Sequence, residues 1–183
     1  MAECIDKHFE KIICEKEIYG GKIIRLGLRD VELENGEKSV REIVYHNGGA
    51  GILPVDGEGN VYLVRQYRSA FESELLEIPA GKLEKGENPF EAAKRELNEE
   101  TGFTAKEYIS LGEYLPTVGY CTERIYIYLA KGLTSGKTHF DRDEFMSLVK
   151  LPFSEAYRMC MANEIKDGKT LIAILKAENI LNK

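Results

Sequence analysis

Gly81 to Phe103 reads GKLEKGENPFEAAKRELNEETGF, and its punctuation is that of a loop feeding a helix. Asn88 suits a helix N-cap, Pro89 the first helical position, and Glu91 completes a capping-box-like start. The helix is predicted to run to about Thr101, where Gly102 supplies a left-handed C-terminal residue. Within it Glu96, Glu99 and Glu100 stand at i, i+3 and i+4, so their side chains share one face. Glu87 precedes the helix on a loop opened by Gly81 and Gly86 and can reach that face. Ala92, Ala93 and Leu97 provide the opposite, buried side. Arg95, four residues before Glu99, can steady that carboxylate or orient Glu87.

Four carboxylates and one arginine in a single turn-and-helix unit repel one another unless cations neutralise them. An all-oxygen cluster suits a hard divalent cation, Mg²⁺ first and Mn²⁺ as a substitute, over a thiolate-loving metal. A glutamate-rich helix face on its own is usually a solvated surface. The full pattern is another matter. Nine constrained positions arise by chance in a chain of this length with odds on the order of one in a million or less.

Around this stretch the chain reads as one ordinary domain with a small appendage. It has 183 residues, 43% apolar and 31% charged, as in a soluble globular protein. A formal charge of −6 with no compensating basic run argues against nucleic acid as a partner. No apolar run approaches the ~20 residues that span a bilayer, so no membrane partner is expected. The opening MAECIDKHFEK has charges where a signal peptide needs an apolar core, which points to the cytoplasm. Cys4, Cys14, Cys121 and Cys160 are scattered and read as free thiols; His8, His46 and His139 show neither metal spacing nor a catalytic pair.

Residues 1–47 are expected to form a β-rich unit, with runs at Lys22–Leu28, Asp30–Leu33 and Val40–Tyr45 and a hairpin signal at Glu34–Glu37. Residues 48–183 form the main domain. Strands are predicted at Ala50–Val55, Val61–Gln66, Tyr108–Tyr114, Arg124–Ala130 and Phe145–Lys150, with Leu75–Pro79 leading into Gly81. Helices follow at Ser154–Ala162 and Thr170–Leu181, the second entered through Asp167-Gly168.

At every constrained position Gly81–Phe103 resembles the Nudix box, G-x5-E-x7-R-E-U-x-E-E-x-G-U with U apolar. The resemblance implies an α/β fold, a Nudix α/β/α sandwich around a mixed sheet, and hydrolysis of a nucleoside diphosphate linked to another moiety. It further implies that Glu96, Glu99 and Glu100 bind the metal with the Ala80 carbonyl, and that Glu87 and Arg95 support them. Val64–Arg68, Glu77–Gly81, Arg41–Val44 and Ile125–Leu133 resemble the ADP-ribose pyrophosphatase branch. That branch implies a domain-swapped homodimer whose subunits both line the pocket. Its substrate is ADP-ribose, cleaved to AMP and ribose 5-phosphate.

The diphosphate needs cationic partners beyond the metal, and Arg68, Arg41 and Arg65 are the candidates in that order. Tyr19 is the candidate for stacking on the base. The branch also places a catalytic carboxylate on a loop after the box, where Glu144 is the expected general base and Glu123 the second choice. One departure stands out. The branch commonly carries a proline sixteen residues beyond the last box glycine, where this chain has Val118, with Pro116 nearby. Three other readings stay open: a GDP-sugar, flavin dinucleotide or dinucleoside polyphosphate as substrate; a ligand sensor that does not turn its ligand over; or a structural interaction domain.

Overall fold

The computed structural model describes residues 8–136 and 145–181. They group into two compact units, one comprising the chain up to Asn47 with Thr117–Glu123, the other Gly48–Pro116 with the chain from Arg124 onward.

The first unit is a three-stranded antiparallel sheet of β1 (Lys11–Gly20), β2 (Ile24–Glu32) and β3 (Lys38–His46), in that order. The hairpin at Glu34–Glu37 forms as expected, with Gly36 at φ 83°, where a side chain would be strained. The two runs expected at Lys22–Leu28 and Asp30–Leu33 are a single strand. β1 is a strand that the sequence reading did not single out, because Glu15, Lys16 and Glu17 interrupt its apolar residues. All ten of its residues are exposed. Beside β3, Val44 donates to Tyr120 O at 2.7 Å and accepts from Thr122 N at 2.9 Å, which ties Thr117–Glu123 to this unit.

The second unit contains β4 (Gly49–Val55), β5 (Asn60–Arg68), β6 (Ser73–Glu77), β7 (Ala80–Lys82), α1 (Pro89–Thr101), β8 (Phe103–Thr104) and β9 (Glu107–Tyr114). β10 (Ile125–Lys131), β11 (Thr134–Ser135), β12 (Met146–Pro152), α2 (Phe153–Met161) and α3 (Gly168–Leu181) follow. Its mixed sheet has the order β12-β5-β4-β10-β9, with β6 beside β5 and β7 beside β4. β4 and β10 run parallel and the other pairs are antiparallel.

β4 is buried at all seven positions, so both of its faces must be covered. Ala50 and Ile52 meet Ala92, Ala93 and Leu97 of α1 on one face. Leu53 and Val55 meet Ala156 of α2 and Ala173, Ile174 and Ala177 of α3 on the other. Helix, sheet and helices thus stack as a sandwich. Asn88 caps α1 by accepting from Phe90 N at 2.9 Å, and Gly102 closes it at φ 72°. The expected capping box is only half made, since the Glu91 carboxylate engages Lys94 at 3.0 Å instead. No helix among the described residues is long and apolar enough to cross a membrane.

Leu97 is fully buried where α1 meets the sheet. Leu97→Ala should therefore cost about 2–5 kcal/mol, read as a lowered urea-unfolding midpoint. An unchanged midpoint would mean that α1 is not held by this contact.

Candidate active site

α1 projects its charged face toward the loop that precedes it, and Arg95 sits among the carboxylates. Its Nε donates to Glu87 Oε1 at 3.0 Å and its Nη2 to Glu87 Oε2 at 3.2 Å. Its Nη1 donates to Glu96 Oε1 at 2.6 Å and to Glu99 Oε2 at 2.9 Å. One guanidinium thus spans three of the four carboxylates, and the Glu87 bond raises its pKa above the ordinary arginine range. The reverse holds for Glu87, whose bond to Arg95 draws its pKa below that of a free carboxylate. Glu87 also accepts from the Glu84 N–H at 2.9 Å, which folds the loop back on itself.

The fourth carboxylate, Glu100, is 2% exposed and accepts from the Ala80 N–H at 3.2 Å. α1 and the start of β7 are joined there. The approach is closest at Gly81, where a Cβ would lie 1.8 Å from Glu96 Oε1 and 2.2 Å from its Cδ. Only glycine leaves room for that carboxylate. Among the described residues no three acidic side chains converge on one ion-sized spot, because Glu96 and Glu99 are turned to Arg95 and Glu100 to Ala80. The donor set nonetheless fits a hard divalent cation: every donor is oxygen, two of the carboxylates are nearly buried, and one guanidinium is shared among three of the four anions.

A second charged group lies behind the first. Glu77, at the end of β6, is 1% exposed. Arg68 grips it in a fork, Nε to Oε1 at 2.6 Å and Nη2 to Oε2 at 2.7 Å, and Lys169 of α3 donates to Oε2 as well. Burial pushes the Glu77 pKa up, but the Arg68 and Lys169 bonds outweigh it and hold the group below the ordinary carboxylate range. The fork in turn raises Arg68. Glu77, Lys169, Asp167 and Thr170 are supporting residues that the sequence reading did not single out. Glu77-Ile78-Pro79-Ala80-Gly81 and Asp167-Gly168 were the visible traces of them.

The structure gathers Ala80, Glu87, Arg95, Glu96, Glu99 and Glu100 around one loop-helix junction. Arg68 is bound to Glu77, three residues before Ala80, with Nε and Nη2 already engaged there. Arg65 is exposed on β5. Arg41 and Tyr19 belong to the first unit. Arg41 is held by Glu10 through Nε at 3.1 Å and by Ser39 Oγ at 2.7 Å, and Tyr19 is 57% exposed on β1. Glu123 also belongs to the first unit and pairs with His46 Nδ1 at 3.3 Å. Glu144 lies outside the described residues.

A model of the NUDIX domain matches residues 45–171. The chain is 41% identical over 167 residues to an ADP-ribose pyrophosphatase of Bacillus subtilis (strain 168), covering 90% of each chain. At the same identity and coverage it resembles a methanol dehydrogenase activator of Bacillus methanolicus. A solved structure described as an ADP compounds hydrolase superposes with a TM-score of 0.83 at 22% identity, covering 94% of each chain. At that identity the likeness is one of fold.

A carboxylate with a depressed folded pKa stabilises the fold above its unfolded pKa, about 4.3 for glutamate. That contribution is lost as pH falls through the lower folded value. Glu77→Gln is accordingly expected to cost about 3 kcal/mol at neutral pH, with the gap to wild type narrowing toward pH 3 in urea unfolding. Equal acid sensitivity in the two proteins would remove Glu77 from the response.

Proposed function

The chain belongs to the Nudix family, and on that premise we propose that it hydrolyses the diphosphate of ADP-ribose, or of a similar nucleoside diphosphate sugar, with Mg²⁺. The observation that carries this reading is the gathering of four carboxylates at one junction, three of them on the Arg95 guanidinium and the fourth on the Ala80 amide, beside a side-chain-free Gly81. Glu96, Glu99 and Glu100, with the Ala80 carbonyl, are the residues that hold the cation, and Mn²⁺ can stand in for Mg²⁺. When bound, the cation offsets charge on the phosphate oxygens and acidifies water.

The chain's own residues divide the remaining work. Arg95 holds Glu87 and Glu99 in place, so the carboxylates stay gathered before a cation arrives. Arg68 keeps Nη1 for a phosphate oxygen while Glu77 fixes its plane, and Arg65 and Arg41 add positive charge. Tyr19 stacks on the base, a role argued from the need for an aromatic surface there, and Glu144 removes the proton from the attacking water, a role that rests on the family resemblance. ADP-ribose yields AMP and ribose 5-phosphate. The 41% identity to an ADP-ribose pyrophosphatase supports this substrate, and Val118 at the branch's proline position leaves other nucleoside diphosphate sugars as the alternative.

The same reading makes the protein a cytoplasmic homodimer. β1 supports the dimer: Ile12, Ile13, Ile18 and Tyr19 are about half exposed on a strand open along its whole length. Such a strand invites pairing with another chain.

Phosphate release from a panel of nucleoside diphosphate compounds with Mg²⁺ tests the activity. ADP-ribose should lead, and Glu100→Gln should lower turnover by about 100-fold or more. Wild-type turnover in that variant would overturn the helix face as the metal site, and silence across the panel would leave a ligand sensor. Sedimentation of the wild-type protein should give twice the chain mass, and a monomer would remove the dimer.

A further inference from the structure

The stretch from Ile78 to Ala80, where β6 passes into β7, is anchored from three directions. Ile78 N–H donates to Thr170 Oγ1 of α3 at 2.7 Å, Pro79 O accepts from Ile52 N of β4 at 2.9 Å, and Ala80 N–H donates to Glu100 of α1 at 3.2 Å. The second and third anchors belong to the sheet and the box. The first comes from a helix that contributes no box residue, 92 positions along the chain. Proline has no N–H, so Ile78 supplies the last backbone donor before Ala80.

Thr170 is well set for this task. It is fully buried, as is Ile78. Its hydroxyl accepts from Ile78 and donates onward to Asp167 Oδ2 at 2.5 Å, so its single proton is committed and its lone pair faces the backbone. Asp167 also accepts from Thr170 N at 3.0 Å and from Lys169 Nζ at 3.0 Å. Lys169 continues to Glu77, and Glu77 to Arg68. A continuous run of hydrogen bonds therefore reaches from the arginine to the Ile78 amide, two residues before Ala80.

We propose that Thr170, seated by Asp167 and Lys169, is a positioning residue for the metal site, fixing the segment whose Ala80 carbonyl would face the cation and whose Ala80 amide holds Glu100. The proposal rests on the reading of Ala80 and Glu100 given above. A buried amide deprived of its acceptor is costly to leave unpaired. Without the hydroxyl, Ile78 turns to find another acceptor and carries Pro79 and Ala80 with it. Helix, core and box are otherwise untouched. A carbonyl displaced in this way weakens ion binding, as loss of an outer support commonly does, by about 10–100-fold.

Thr170→Val removes the hydroxyl at nearly constant volume, and Thr170→Ser restores it. Mn²⁺ affinity is measured on substrate-free protein by electron paramagnetic resonance titration, and kcat and KM with Mg²⁺ alongside. Thr170→Val should bind Mn²⁺ about 10-fold more weakly and lose a similar factor in kcat, with KM nearly unchanged and Thr170→Ser near wild type. A Thr170→Val protein that melts lower but keeps wild-type Mn²⁺ affinity and kcat overturns the proposal. If Thr170→Val does not fold, Asp167→Asn decides: weaker Mn²⁺ binding supports the role, and wild-type binding removes it. Glu100→Gln run in parallel separates the two readings. If it binds Mn²⁺ as wild type does, the metal site itself is misplaced. If it loses Mn²⁺ while Thr170→Val keeps it, Thr170 alone is dismissed.

Discussion

Holding four carboxylates together against their mutual repulsion is the constraint around which the second unit is arranged. Helix geometry brings Glu96, Glu99 and Glu100 to one face at no extra cost in backbone conformation. It does not reconcile their charges. Arg95 does so in part, because its planar fork of donors can serve several carboxylates at once where a lysine would act as a point charge. The face can be so polar only because the other side of α1 is so apolar. Ala92 and Ala93 let the helix settle closely on β4, and Leu97 fills the space between them. The small residues bring the carboxylates within hydrogen-bonding distance of the Ala80 amide, and Gly81 removes the last obstacle.

A second, deeper set of charges follows the same logic with a different outcome. Glu77 is almost wholly removed from water, where an unpaired carboxylate would give up its charge. Arg68 and Lys169 keep it ionised from two sides, and Asp167 balances the surplus positive charge. Taking ions out of water is expensive, and replacing such a group with apolar side chains is often neutral or stabilising. What the ions supply here is direction. A fork between Arg68 and Glu77 has one geometry, whereas two apolar side chains in the same space would have several.

The parts of this arrangement that the sequence disclosed are those whose partners lie within a turn or a loop of one another. The spacing of Glu96, Glu99 and Glu100, the cap at Asn88 and the close at Gly102 are local, and each appears where the residue pattern puts it. Arg95 was legible as a partner of Glu87 and Glu99 for the same reason. Glu77 was not, because its cation on α3 is far along the chain and nothing about a lone Lys-Thr pair announces it. β1 escaped because it is exposed along its length, so it has neither the alternation of a half-buried strand nor the apolar run of a buried one. Arg68 was read as a phosphate ligand, and the buried carboxylate that occupies two of its nitrogens could be seen only once the chain was folded.

The distance in sequence between Glu77 and Lys169 also has a meaning in time. A ribosome adding about 5–20 residues per second places Arg68 and Glu77 in the nascent chain roughly 5–20 s before Lys169 emerges, given the 92 positions between them. During that interval β6 can pair with β5, and α1 can form on its own cap. Glu77 meanwhile has a single cation on offer, and Ile78 has no hydroxyl to receive its amide. The sheet is therefore laid down around an unfinished centre. The arrival of α3 completes both the core and the polar lattice beneath the box in one docking step, so in the order of synthesis the Glu77–Ile78 segment gains its anchors on α3 only after the strands and helix around it have emerged.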